Sequence, residues 1–126
     1  MLTGVKTRLT QLARSLRIHV VTADTYGKAR NALRGLPCEL LIVQGGAEAA
    51  AKAAYVRRLG AMKVACIGNG RNDRLMLRAA RLGIAVVQAE CTAAEAVAAA
   101  DVLAPSVCAA LDLFLRPRRL LATLRS

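Results

Sequence analysis

Apolar and polar positions alternate along the chain between two periods. Residues 5–16 place Val5, Leu9, Leu12, Ala13 and Leu16 on one side, the spacing of an amphipathic helix. An apolar run follows, Ile18-His19-Val20-Val21, which ends in the polar Thr22-Ala23-Asp24. Asp24 or Thr25 is suited to cap a helix to about Arg34, and Gly35 and Pro37 stop it. Leu40 to Val43 reads as the next strand, broken by Gly45-Gly46. A helix over Glu48–Leu59 closes at Gly60, and Val64 to Ile67 reads as a strand running into the loop Gly68-Asn69-Gly70-Arg71-Asn72-Asp73. A helix to about Arg81, a strand at Ile84–Val87, a helix near Thr92–Ala99 and a short strand at Val102–Leu103 come next. Two terminal helices divided at Pro117 complete the pattern.

Strands of four or five apolar residues alternating with helices predict an α/β fold: a Rossmann-like, three-layer sandwich around a mainly parallel sheet. With 126 residues there is room for one domain, and no composition break suggests another. Two Tyr, one Phe and no Trp leave a core of aliphatic side chains. No apolar stretch reaches the roughly 20 uncharged residues that span a bilayer. The start of the chain lacks the apolar segment of a secretory signal, so the expected location is the cytoplasm, with no membrane partner.

Charge and cysteines change the picture less than their numbers suggest. Cys38, Cys66, Cys91 and Cys108 form no Cys-x-x-Cys pair, and with His19 as the one histidine a zinc site is not expected. The formal net charge of +11 calls for a nucleic-acid reading. Against it stand the missing aromatic platforms for bases and the spread of basic residues along the chain. Arg71, Arg74, Arg78 and Arg81 share a sector of about 80° on one expected helix, which is a solvated face beside Leu75, Ala79 and Leu82. Nucleic acid is therefore set aside as the expected partner. A basic interaction module for an acidic partner or nucleic acid is the competing reading.

Candidate chemistry gathers where strands end, since open parallel sheets bind ligands beyond the carboxyl ends of their strands. At the first such end the Thr22 hydroxyl and the backbone N–H groups that follow it suit an anion. At the second, Asn69, Asn72 and Asp73 bring oxygen ligands to a glycine loop, the donors a hard cation prefers. The third glycine of a dinucleotide fingerprint is absent. Lys52 lies in the same helical stripe as Tyr55, Val56 and Leu59, opposite Arg57 and Arg58, so it projects from the side that faces the sheet.

In order, the segments VVTADTYGKAR, AKAAYVRRLG, KVACIGNGRNDRLMLRAARLGIAV and AADVLAPSVCAALDLFLRPRRLLATLR resemble the haloacid dehalogenase (HAD) superfamily, in particular its soluble P-type-ATPase-like hydrolases. The resemblance implies a magnesium-dependent phosphatase-type domain. It puts phosphate on Thr22, Ala23, Lys52 and Asn72, and metal on Asn69 and Asp73, with a small phosphorylated molecule as ligand.

Two departures alter that expectation. The superfamily's apolar strand with an Asp-x-Asp motif, whose first Asp is the nucleophile, has no counterpart here: no Asp-x-Asp occurs in the sequence. The metal loop opens with Asn69 where Asp is common. The reading is therefore an N-terminally incomplete HAD core, inactive as given, with Mg2+ weak or lost and no catalytic residue to name. The absent strand belongs mid-sheet, between those ending at Thr22 and Ile67. Its loss either forces these two to pair or leaves backbone groups unpaired, for which a second copy or a strand-donating partner is the expected remedy.

Overall fold

The computed structural model describes residues 3–22, 28–43, 46–68, 70–87 and 92–116. The chain alternates as the periodicity predicts: α1 (Thr3–Leu12), β1 (His19–Thr22), α2 (Lys28–Ala32), β2 (Glu39–Ile42), α3 (Glu48–Leu59), β3 (Ala65–Gly68), α4 (Arg74–Ala79), β4 (Leu82–Val86), α5 (Ala94–Ala99), β5 (Val102–Ala104) and α6 (Val107–Leu115). Single 3₁₀ turns at Ala61–Lys63 and Arg71–Asp73 lead into β3 and α4. The helix expected past Pro117 and the caps Asp24 and Thr25 lie outside the described residues.

Helix boundaries follow local chemistry. α3 ends where Gly60 adopts φ 100°, a left-handed stop open to glycine at little cost, and its N–H bonds Arg57 O. Ser106 caps α6 by accepting from the Ala109 N–H at 3.0 Å. α1 stops at Leu12, so Leu16, expected on its buried side, is 49% exposed. α4 is also shorter than expected, with Arg71 in the 3₁₀ turn and Arg81 beyond the helix, so the four-arginine stripe is split. Leu59, placed by periodicity on the buried stripe of α3, is 36% exposed.

Every strand pair is parallel. β1 pairs with β2 from His19↔Glu39 to Thr22↔Ile42, β3 with β4 from Ala65↔Leu82, and β4 with β5 from Ile84↔Val102. No ladder joins β1 to β3 among the described residues, so the expected single sheet is divided into two strands and three.

Helices cover both faces. Cys66 and Ala85 pack with Val56, Met76, Leu77 and Ala96, the α3–α4–α5 side. Ile84, Val86, Val102 and Ala104 pack with Ala110 of α6 on the other. This alternation along β4 is the period of two of a strand buried on both sides. α1 lies beside α6, and its Val5, Leu9 and Leu12 form one cluster with Leu111 of α6, against which Ile18, Leu36 and Ile67 pack. That cluster bridges the two halves. Leu36, just past α2, packs against the cluster that α1 forms with α6, and the strand orders are β1-β2 in one sheet and β3-β4-β5 in the other.

Candidate functional site at the carboxyl edge of the sheet

The site is assembled from the first turns of α3 and the connection from β3 to α4. Past Gly68 the chain turns through Gly70 (φ −97°, ψ 164°) into the 3₁₀ turn Arg71–Asp73. The Asp73 carboxylate folds back and accepts the Gly70 N–H at 3.0 Å, while the Asp73 N–H bonds Gly70 O at 3.0 Å. This closed turn requires glycine at position 68, where a Cβ would stand 2.6 Å from Asp73 Cγ.

On α3 the apolar spacing turns Lys52, Ala53 and Val56 inward. Lys52 Nζ reaches Asp73 Oδ1 at 2.8 Å and Asn72 Oδ1 at 3.5 Å. Asn72 turns its amide nitrogen to Glu48 Oε2 at 2.6 Å, so each side of the amide meets a group of matching polarity. Glu48 sits in the first turn of α3, where a carboxylate also favours the helix dipole. Lys52 and Asp73 are each 8% exposed. Each therefore depends on the other, because an unpaired buried charge costs several kcal/mol (order of magnitude). Beneath them the Cys66 thiol is pushed up to about 12, first by burial and then by the Asp73 charge. A broad cleft of about 780 Å³ opens beside the cluster, lined by Glu48, Asn72, Gly70, Arg71 and Arg74.

Of the residues expected to form the site, Lys52, Asn72 and Asp73 are bonded together. Thr22 ends β1, in the two-stranded sheet. Ala23 and Asn69 lie outside the described residues. Sequence reasoning missed Glu48, which served only as a helix-start marker; an acid one turn before an inward lysine was the available signal. It also missed a second cluster, where His19 Nδ1 stands 2.7 Å from the Tyr55 hydroxyl and 3.0 Å from Glu39 Oε2.

The described residues do not fit a magnesium ion. Asp73 has one oxygen on Lys52 and the other on the Gly70 N–H, and Asn72 presents its oxygen to the ammonium. No three His, Cys, Asp or Glu side chains among the described residues converge as a metal site. Magnesium asks for a near-octahedral set of oxygens.

Parallel strands covered by helices on both faces give this chain a fold shared with solved HAD hydrolases. The chain superposes on 3-deoxy-D-manno-octulosonate 8-phosphate phosphatase from Moraxella catarrhalis, a structure in complex with magnesium, phosphate and KDO, with a TM-score of 0.73 at 19% identity. That match covers 97% of this chain and 76% of the other. A protein from Legionella pneumophila assigned to HAD subfamily III A matches with a TM-score of 0.70 at 16% identity, over 96% of this chain and 69% of its own. One from Streptomyces avermitilis assigned to the HAD family hydrolases gives 0.66 at 18% identity, over 82% and 59%. No family model matches the sequence. Uncharacterized protein MJ0073 of Methanocaldococcus jannaschii is 41% identical over 63 residues, which are 50% of this chain and 68% of that protein. The chain belongs to the family of that archaeal protein.

Among the described residues no helix is long and apolar enough to cross a membrane. Cys38, Cys66 and Cys108 are free thiols.

Proposed function

We propose that this chain is a HAD-like hydrolase domain of the phosphatase type that binds a small phosphorylated molecule and does not turn it over unaided. The observation that carries the reading is the buried Lys52, held by Asp73 and Asn72 at the carboxyl edge of the sheet. Those contacts engage two of its three N–H groups. The third is the donor for a phosphate oxygen, with the Thr22 hydroxyl approaching from β1 and Asn72 from the 3₁₀ turn.

Turnover by the covalent route needs a carboxylate oxygen that attacks phosphorus as the ester bond breaks. The carboxylates of this cluster are Asp73 and Glu48, and both are tied down as acceptors. Magnesium would supply charge neutralisation on the phosphate oxygens, and this donor set recruits it weakly at best.

Phosphate titration followed by ³¹P NMR tests the reading. Saturable binding in the parent, lost in Lys52→Met and little changed by salt, is the expected result. A steep fall of affinity with salt would transfer the binding to the exposed arginines and favour a basic interaction module. In parallel, a generic phosphate ester with magnesium is expected to remain intact. Hydrolysis abolished by Asp73→Asn would refute the claim that the domain is inactive unaided.

A further inference from the structure

Glu48 carries a charge that the binding of phosphate does not use. It lies one turn before Lys52 on α3, and residues four apart on a helix are neighbours, with Cβ atoms about 5–6 Å apart. The two side chains do not pair with each other. Lys52 Nζ is taken by Asp73 Oδ1 at 2.8 Å, and the Asn72 amide stands between the lysine and the glutamate. Asn72 Nδ2 donates to Glu48 Oε2 at 2.6 Å. Among the described residues Glu48 Oε1 has no hydrogen bond, and Glu48 joins no ion pair.

The arginines that line the same cleft have partners of their own. Arg71 Nε lies 3.2 Å from Glu95 Oε2, and Arg74 Nη1 donates to Arg71 O at 2.9 Å. A phosphate on the third N–H of Lys52 and on the Asn72 amide would therefore lie beside a carboxylate that no ion pair neutralises. Like charges that close repel, the more so where both carriers are half-buried. The described donors make no metal site there, so the compensating cation arrives with the ligand.

We infer that Glu48 sets the ligand class of this site: a phosphate monoester whose alcohol carries a protonated amine two carbons from the ester oxygen, with the ammonium donating to Glu48 Oε1. The inference rests on the phosphate-binding reading above. One helical turn separates the lysine from the glutamate, and a two-carbon amino alcohol spans that separation. Asn72 serves both ends, its oxygen toward Lys52 and its nitrogen toward Glu48, so the two heads keep a fixed spacing. The rival ligand is an ester with an anionic tail directed at Arg71 and Arg74. Such a tail competes with Glu95 for Arg71 and adds a further negative charge beside Glu48.

The probes are ethyl phosphate, O-phosphoethanolamine and phosphoglycolate, titrated separately into the intact chain and followed by ³¹P NMR at constant ionic strength. At about pH 8 each phosphate is dianionic and the amine is protonated. O-phosphoethanolamine is expected to bind about tenfold tighter than ethyl phosphate, the worth of one hydrogen bond between charged groups. Equal affinity overturns the inference. So does tighter binding of phosphoglycolate, which would hand the tail to Arg71 and Arg74. This comparison is made in the parent chain and depends on no variant folding.

Glu48→Gln keeps an oxygen that accepts from Asn72 and removes the charge. In that variant the preference for the amine over ethyl phosphate is expected to fall from about tenfold to about one. A preference that survives in a variant with a cooperative melt refutes the assignment of the ammonium to Glu48. Ethyl phosphate keeps the two proposals apart. Its saturable binding to the parent without any preference for the amine removes only this inference, whereas failure of all three esters to bind removes the phosphate reading with it.

Discussion

The two halves of the sheet are written in similar aliphatic runs and fold to different depths. In β4 the residues Ile84, Ala85 and Val86 are 0%, 0% and 1% exposed, with a strand on each side and helices on both faces. In β1 all four residues are half-buried, and in β2 both ends are exposed, Ile42 at 38%. Hydropathy does not separate Val20-Val21 from Ile84-Ala85-Val86. What separates them is the number of neighbours, because a strand beside a break cannot bury its edge. Burial in this molecule is thus a property of position in the sheet more than of the residues that occupy it.

The comparison is broken most directly by truncating matched aliphatic side chains. Ile84→Ala should cost about 3–4 kcal/mol by denaturant unfolding, the usual range for a fully enclosed position. Leu41→Ala in the half-buried β2 should cost about 1 kcal/mol, since most of what it loses is area and not a cavity. Equal losses at the two sites would show that the β1–β2 half is as tightly packed as the other.

Lys52→Met comes next, expected to cost about 3 kcal/mol by leaving Asp73 buried without its cation. Adding Asp73→Asn should recover part of that loss, because a neutral amide needs no counter-charge. If the single substitution is neutral, the pair is solvated and the cluster belongs with the open half of the molecule.

Much of this was legible before any coordinates. α3 falls where the spacing predicts it, about Glu48 to Leu59, with Lys52 and Val56 inward and Gly60 as its stop. Lys52 and Asn72 are expected on phosphate and Asp73 on a metal; the structure bonds the three to one another. Strand ends moved by one or two residues, as expected where a ladder and not a side chain sets the limit. Leu16 and Leu59 went astray for a different reason: helical periodicity says which side a residue faces, not whether anything covers that side. The Glu48–Asn72 contact spans 24 positions and depends on how α3 meets the 3₁₀ turn, which no local pattern encodes. The sequence left open whether β1 and β3 pair directly, and no ladder joins them among the described residues.

Cys66 sharpens the contrast from the well-packed side. Its thiol is pushed up to about 12 against 9.0 for an unburied one, so the folded state keeps its proton where the unfolded state loses it. Stability from this group is intact below pH 9 and declines as pH rises toward 12, by up to about 1.4 kcal/mol per unit. Cys66→Ala should therefore show a flatter fall than the parent between pH 9 and 10.5 in denaturant titrations. Cys38, raised by a lesser burial in the open half, should contribute a smaller slope of the same sign. Parallel curves for parent and Cys66→Ala would mean that the thiol opens to solvent and that this half is looser than its packing implies.

The smallest effect is the most discriminating. Gly35 and Gly60 both carry a left-handed backbone, φ 81° and 100°, and a Cβ at either would meet nothing within 4 Å. Alanine at each is therefore a pure conformational strain of about 1 kcal/mol. Gly60 joins α3 to β3, inside the region that packs as one; Gly35 follows α2, in the open half. If the molecule unfolds as a single cooperative unit, both substitutions lower global stability alike. If the β1–β2 half opens first, Gly60→Ala lowers the global value while Gly35→Ala leaves it unchanged and speeds hydrogen exchange only at β1 and β2. Residue-resolved exchange decides between the two, and with it whether one helix, α1, is enough to make two part-sheets behave as one fold.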